Sequence, residues 1–309
     1  MGNHKILTRI FESAQRIEFT NRDRLVFFSD VHRGNNTWAD GFAHNETIYL
    51  CALNYYYDNH FTYVEVGDGD ELLKFKYIEP IRLAHEEVYR LLQKLHRKQR
   101  LYYIFGNHDN EYRNPELVHR KLNHIFNRVT EEKEVLFNDF TAHEGLVFKH
   151  KESGLEFFAV HGHQADTTFH RMIWLNGILL RLLWRPLQLL GLQDPSSASQ
   201  DINKVQRVEE VLIKWAEEHH QPIIAGHTHR AHFPKKGKPP YFNIGSCVHP
   251  RWITCIEIEK GRIALIRWHI VPNKKGHLVV TRDVQKGFKY IEQFGEFSFT
   301  PDHNIEDEY

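Results

Sequence analysis

The sequence predicts a mixed α/β fold, and three observations carry that expectation. Short apolar runs alternate with helix-like segments through the first half of the chain. The last third reads as β, and five short polar motifs each close an apolar run. Strand–helix–strand alternation implies parallel strands joined by right-handed crossovers. At 309 residues the chain is long for one domain. Sheet sandwiches reach this size as single units, so one domain over 1–309 is the simplest account.

Residues 24–29 (RLVFFS) run straight into Asp30, as a buried strand ending at a loop would. Residues 45–57 carry apolar side chains at mixed spacing and are expected to be helical. Residues 62–66 (TYVEV) form a second strand that ends at Gly67-Asp68. The clearest helix spans 80–100: Pro80 suits its first turn, and Ile81, Leu83, Val88, Leu91, Leu92 and Leu95 recur at helical intervals. Residues 101–105 (LYYIF) follow as a third strand, ending at Gly106-Asn107-His108. Strands over 146–150 and 155–160 flank the turn-like KESG, and the second ends at His161. Residues 222–225 (PIIA) lead into Gly226. Further strands are expected at 241–244, 252–258 and 262–270. From Asp283 the pattern is weak, and 302–309 is expected to fray.

Composition narrows the function. Lys+Arg and Asp+Glu each number 40, so the formal net charge is zero. A general nucleic-acid binder needs clustered positive charge, so no specific nucleic-acid partner is expected. Cys51, Cys247 and Cys255 lack CxxC spacing and leave an odd thiol. That usage points to a reducing, cytoplasmic setting without disulfides or a zinc knuckle. Residues 1–16 lack the apolar core of a signal peptide. No uncharged apolar stretch reaches the roughly 18 residues that a membrane span needs.

The motifs carry the chemistry. They are Ser29-Asp30-Val31-His32, Gly67-Asp68-Gly69-Asp70-Glu71, Gly106-Asn107-His108-Asp109, Val160-His161-Gly162-His163 and Gly226-His227-Thr228-His229. Each alone is an ordinary loop. In series at successive strand ends they supply Asp, Asn and His but no thiol, the donor set of a divalent metal pair. The first ion would take Asp30, His32 and His229, the second Asn107, His161 and His227, with Asp68 bridging. Alternate side chains of an extended segment point the same way, so each D-x-H or H-x-H pair can face one pocket. These ligands suit Mn²⁺ foremost, with Fe, Zn or Co as alternatives.

Taken together, SDVH, GDGDE, GNHD, VHGH and GHTH resemble the calcineurin-like metallophosphoesterase superfamily over about residues 25–246. Asn243-Ile244-Gly245-Ser246 is similar to the N-x-G-S segment that often follows the last motif. The resemblance implies a four-layer αββα sandwich of two mixed β-sheets flanked by helices, with the site at the strand C-terminal ends. It implies a phosphohydrolase in which hydroxide between two ions ~3.5–4 Å apart attacks phosphorus in line. By the same resemblance His108 stabilises the transition state or protonates the leaving group, with Glu71 orienting it. Asp109 braces the loop. Arg33 and Arg230, each following a ligand histidine, are candidates for a substrate phosphate, or else solvated arginines. His163 is a weaker candidate for substrate, as are His249 and Arg251.

An insertion over 166–220 separates the fourth and fifth motifs. Its run at 171–192 is dense in Leu, Ile and Trp, with Arg171, Arg181, Arg185 and Gln188 on one helical face and Pro186 as a break. Two readings are open for it. One is a helical hairpin packed on the core or on a partner subunit in a homo-oligomer. The other is a lid that holds acyl chains or rests peripherally on the inner membrane face beside anionic head groups. The placement resembles the bacterial UDP-2,3-diacylglucosamine hydrolase branch, and Gly226-His227-Thr228-His229-Arg230 fits it. His163, Asp166-Thr167-Thr168 and His108 depart from it, which implies a related but distinct substrate. The expected substrate is a small-molecule or lipid-linked phosphate, cleaved at a phosphodiester or pyrophosphate bond. The alternatives are a phosphomonoesterase or protein phosphatase, or an inactive metal-binding scaffold.

Overall fold

Alternate residues of the strand Arg24–Phe28 go to different cores, and that alternation builds the molecule. Leu25 and Phe27 point into a core shared with a second sheet, while Val26 and Phe28 point into one shared with helices. The same split divides Val64 and Val66 from Tyr63. In the second sheet it divides Leu146, Phe148, Phe157 and Ala159 from Val147, Phe158 and Val160. Phe27 meets Phe148 edge-on across the central core, with ring centroids 5.1 Å apart. The result, in a computed structural model that describes residues 2–127, 130–166 and 202–295, is two sheets face to face with helices outside both.

The seven-stranded sheet runs in the order Leu278–Tyr290, Arg262–Pro272, Trp252–Glu259, Arg24–Phe28, Thr62–Val66, Leu101–Ile104, Ala142–His143. Its last four strands are parallel and the rest antiparallel. Helices Glu46–Asp58, Ile78–Ala84, Glu86–Arg97 and Pro115–Leu122 cover its outer face. The five-stranded sheet is ordered Gln15–Phe19, Gly145–His150, Glu156–Val160, Ile223–Ala225, Tyr241–Asn243. Helices Gly2–Ser13 and Ile202–Glu218 cover it through Leu7, Ile10, Leu212 and Trp215. This is the mixed two-sheet, four-layer sandwich expected, with Arg24–Phe28, Thr62–Val66, Leu101–Ile104, Glu156–Val160 and Ile223–Ala225 each ending at a motif.

Two elements differ from expectation, and a third, at the N-terminus, had none. The helix expected over 80–100 is two helices broken at His85 (φ −120°, ψ 38°). The buried imidazole is drawn inward, its two nitrogens each 2.9 Å from a carboxylate, Asp40 and Glu46. The chain beyond Asp283 is not irregular but continues the 13-residue strand Leu278–Tyr290. That strand forms an edge with both faces largely exposed, and its pairing carries register shifts near Leu265, so no alternation shows in its residues. The charged N-terminal stretch is an amphipathic helix that buries Leu7 and Ile10. Of the insertion, the helix Ile202–Glu218 is described; the arginine-bearing run 171–192 and the tail 302–309 lie outside the described residues. Among the described residues no helix is long and apolar enough to cross a membrane.

Candidate metal centre

The motif loops are stitched to one another by the backbone before any side chain acts. Asp30 N–H donates to Gly67 O at 3.1 Å and His32 N–H to Asp68 O at 2.8 Å. Gly226 N–H donates to His161 O at 2.9 Å. These bonds twist the ligand residues out of the extended region: φ is +52° at Asp30, +52° at His32, +53° at Asp68, +69° at His227 and +58° at His229. The extended D-x-H and H-x-H segments expected from the sequence are therefore replaced by left-handed residues flanking a buried Val31 or Thr228. Each such residue costs about 1–2 kcal/mol, and strain of this kind persists only where surrounding contacts over-determine it. Glycine permits the close approach. A Cβ on Gly106 would fall 2.1 Å from Asp68 Oδ1, and one on Gly226 would fall 1.9 Å from Ser29 Oγ.

Among the described residues three groups of donors have candidate ligand atoms within 4.8 Å of one another: the triads Asp30/His32/His229 and Asp68/His161/His227, and the set His32/Glu71/His108 beside them. In the first, Asp30 Oδ1 is 3.0 Å from His229 Nε2, and His32 Nε2 is 3.3 Å from His229 Nε2. In the second, His161 Nε2 is 3.2 Å from both Asp68 Oδ2 and Asn107 Oδ1. Asp68 joins them, its Oδ2 also 3.8 Å from His32 Nε2. All seven expected ligands meet here, and every one except His229 is buried.

The remaining hydrogen bonds aim these groups. His161 Nδ1 donates to Val66 O at 2.9 Å, leaving Nε2 for the centre. Ser29 Oγ and the His227 N–H both donate to Asp30 Oδ2, at 2.5 and 2.9 Å. Asp68 Oδ1 accepts His108 N–H at 2.7 Å. Asp30 Oδ1 and His227 Nε2 are buried without a hydrogen bond. Buried polar atoms are nearly always satisfied, so two facing the same centre fit a cation ligated there.

Electrostatics agree. Burial raises the Asp30 carboxyl, but the His229 and His161 imidazoles hold it well below the usual carboxylate range. Asp68 is opposed by burial in the same way and lowered by His161 and His108. Burial pushes His32 down, yet Asp30 and Glu71 lift it to about 10. His161, likewise buried, is lifted to about 9 by Asp68 and Asp30. Imidazoles held this firmly protonated mark a site where anionic oxygens call for positive charge, which divalent ions would supply.

His108 and Glu71 stand beside the first triad. His108 Nδ1 is 2.7 Å from Glu71 Oε1, and its Nε2 lies 4.0 Å from Asp68 Oδ2. Asp109, expected to brace its loop, accepts from Gly69 N–H at 2.8 Å, Gly106 N–H at 2.5 Å and Tyr103 O–H at 2.7 Å. Burial, then the charge of Asp68, pushes Asp109 up to about 7.

The residues expected to contact substrate fare differently. Arg33 is corrected: its guanidinium is fully buried and paired with Glu65 and Asp70, so it reaches no substrate. His163 is buried, its ring centroid 5.4 Å from that of His161. Arg230 is half-buried, with its charge felt by Glu209. Sequence reading missed Ser29 as a brace for Asp30, and Asn243, whose amide donates to Gly226 O at 3.0 Å and Thr228 Oγ1 at 2.9 Å. Asp166 was also missed, with Oδ2 3.7 Å from His227 Nε2 and 3.0 Å from Lys204 Nζ. Ser29 stands in the first motif, Asn243 in the N-x-G-S segment and Asp166 in a run noted only as a departure, and none is given a role there.

Two packed mixed sheets thus carry, at their strand ends, a cluster of carboxylate and imidazole groups that could hold metal. A sequence profile for the calcineurin-like phosphoesterase family matches residues 23–231, and the chain belongs to that family. No curated protein sequence matches the chain. Among solved structures, a mutant of a cold-active protein tyrosine phosphatase aligns at 13% identity and TM-score 0.38, covering 88% of this chain and 83% of that one. Vps29 from Chaetomium thermophilum aligns at 10% identity and TM-score 0.40, covering 87% and 98%. Likeness at this level says nothing of substrate.

Proposed function

We propose that the chain is a dinuclear metal-dependent phosphohydrolase that cleaves a phosphodiester or pyrophosphate bond in a lipid-linked or nucleotide-diphosphate substrate. The observation that carries this reading is the pair of donor triads, with Asp68 of one lying 3.8 Å from His32 of the other and a carboxylate-held histidine beside them. Asp30, His32 and His229 would hold one ion; Asn107, His161 and His227 would hold the other. Bound divalent ions supply Lewis-acid polarisation of the phosphoryl group and acidify water. Mn²⁺ is the metal proposed first, and the same oxygen and imidazole donors also suit Fe, Zn or Co.

The chain's own residues do the rest. Glu71 is held well below the usual carboxylate range, against burial, by the charges of His108 and Lys74, so it acts as an acceptor only. It therefore takes a proton-bearing Nδ1 from His108 and leaves Nε2 directed past Asp68 toward the centre. A second proton, carried on His108 Nε2, would pass to the leaving oxygen and leave the imidazole neutral with its Nδ1–H still on Glu71, a contribution worth about 10²–10⁴-fold in rate. The backbone N–H of His108 donates to Asp68 Oδ1, so the candidate bridge is tied to the residue that carries the candidate acid. The apolar run 171–192, which lies outside the described residues, is the segment proposed to select the substrate.

Hydrolysis of bis-(p-nitrophenyl) phosphate with added Mn²⁺ tests the reading, comparing wild type with Asp68→Ala and His108→Ala. Wild-type turnover that both substitutions abolish or cut by at least 10²-fold is expected. Metal-replete protein inactive on diesters, pyrophosphates and monoesters alike would sink it.

A further inference from the structure

We propose that Arg33 is a positioning residue for the metal centre, fixing the Asp30–His32 segment against the Asp68 loop from beneath. The proposal rests on the dinuclear reading above. All three guanidinium nitrogens are used: Nε donates to Asp70 Oδ1 at 2.8 Å, Nη1 to Glu65 Oε2 at 3.2 Å and Nη2 to Glu65 Oε1 at 2.5 Å. The main chain of the same residue ties the same two segments. Arg33 N–H donates to Gly69 O at 2.9 Å, and Glu71 N–H donates to Arg33 O at 3.0 Å. One residue thus clamps, through side chain and backbone together, the segment bearing Asp30 and His32 to the loop bearing Asp68 and Glu71.

The loop rests directly on this charged layer. A Cβ on Gly69 would fall 1.8 Å from Glu65 Oε1 and 2.5 Å from Arg33 Nη2. Tyrosines close the layer from below: Tyr89 and Tyr112 donate to Asp70 at 2.5 and 2.6 Å, and Tyr63 donates to Glu65 at 3.1 Å. Without the guanidinium, Glu65 and Asp70 would be uncompensated buried carboxylates beside Asp68, repelling it or taking up protons. Either response moves the candidate bridge. A lysine offers a single point charge and cannot hold both carboxylates at once, whereas the planar fork of arginine does.

The test is Mn²⁺ titration by calorimetry, with metal counted by elemental analysis, on full-length Arg33→Lys and on Arg33→Met combined with Glu65→Gln and Asp70→Asn. The triple variant removes the buried charges together, so it folds even where a lone unpaired carboxylate would not. The expected result is wild-type binding of two ions, and affinity about 10- to 100-fold weaker in each folded variant, the range seen when groups supporting metal ligands are lost. Thermal melting in EDTA separates this from a loss of stability alone. Variants that melt lower yet bind two ions with wild-type affinity would overturn the proposal. Failure of both to fold would too, since Arg33 would then serve the fold alone. Wild type that binds no Mn²⁺ would overturn the dinuclear reading itself.

Discussion

Glu71 Oε2 accepts the His32 Nδ1–H at 3.0 Å, while its other oxygen takes His108 Nδ1 at 2.7 Å. One carboxylate therefore orients a candidate metal ligand and the candidate general acid together. Glu71→Gln keeps the shape but loses the charge. It is expected to weaken Mn²⁺ binding about 10- to 100-fold and to lower kcat as well. His108→Ala is expected to lower kcat alone, by about 10²–10⁴-fold, and to spare metal affinity. Paired metal titrations and steady-state rates on both variants check this; equal metal affinity in Glu71→Gln and wild type would contradict the shared role.

Metal loading should release protons. The carboxylates lift His32 to about 10 and His161 to about 9 despite burial, so the metal-free protein carries both protons near pH 7. Ligand imidazoles must be neutral, so binding expels close to two protons at that pH, and apparent affinity rises with pH until about 9–10. Calorimetric titrations in buffers of different ionisation enthalpy count the protons. Affinity that stays constant between pH 6 and 9 would rule this out.

His85 gives a separate pH signature, in stability. Burial lowers it, but Asp40 and Glu46 win and raise it to about 9 from an ordinary value of 6.5. A folded pKa above the unfolded one stabilises fully below about 6.5, and that stabilisation is lost as pH rises through about 9. The linked contribution is on the order of 3 kcal/mol. Denaturant unfolding of wild type and His85→Ala should therefore show a larger gap at pH 6 than at pH 9.5. An equal gap at both would mean that the imidazole acts through packing only.

The legible parts of this fold are local ones. Strands such as Thr62–Val66 are short apolar runs buried on both faces, and each motif follows its strand directly, so both could be read in order along the chain. What could not be read depends on partners far away in sequence. The left-handed turns at Asp30 and His32 exist because their N–H groups bond Gly67 and Asp68. Arg33 looks like a phosphate-binding arginine beside His32 until Glu65 and Asp70 fold beneath it. The break at His85 needs Asp40 and Glu46.

The strand Leu278–Tyr290 was invisible for the opposite reason, since little of it is buried. One of its residues nevertheless matters to the core. Arg282 Nε donates to the fully buried Glu257 at 2.9 Å, and its Nη2 reaches the other oxygen. Among the described residues Arg282→Ala leaves that carboxylate only the Tyr56 hydroxyl at 2.6 Å, so it should destabilise by about 3–5 kcal/mol. Arg282→Ala with Glu257→Gln should recover most of the loss. Urea unfolding of the single and double variants decides; a double variant as unstable as the single would show that the pair is not the cause.

Anomalous diffraction from crystals of the Mn²⁺-loaded protein tests the central claim most directly. The account predicts two peaks, one bounded by Asp30, His32 and His229, the other by Asn107, His161 and His227, with Asp68 between them. A single peak, or none at Asp68, in protein that hydrolyses a phosphodiester would contradict it.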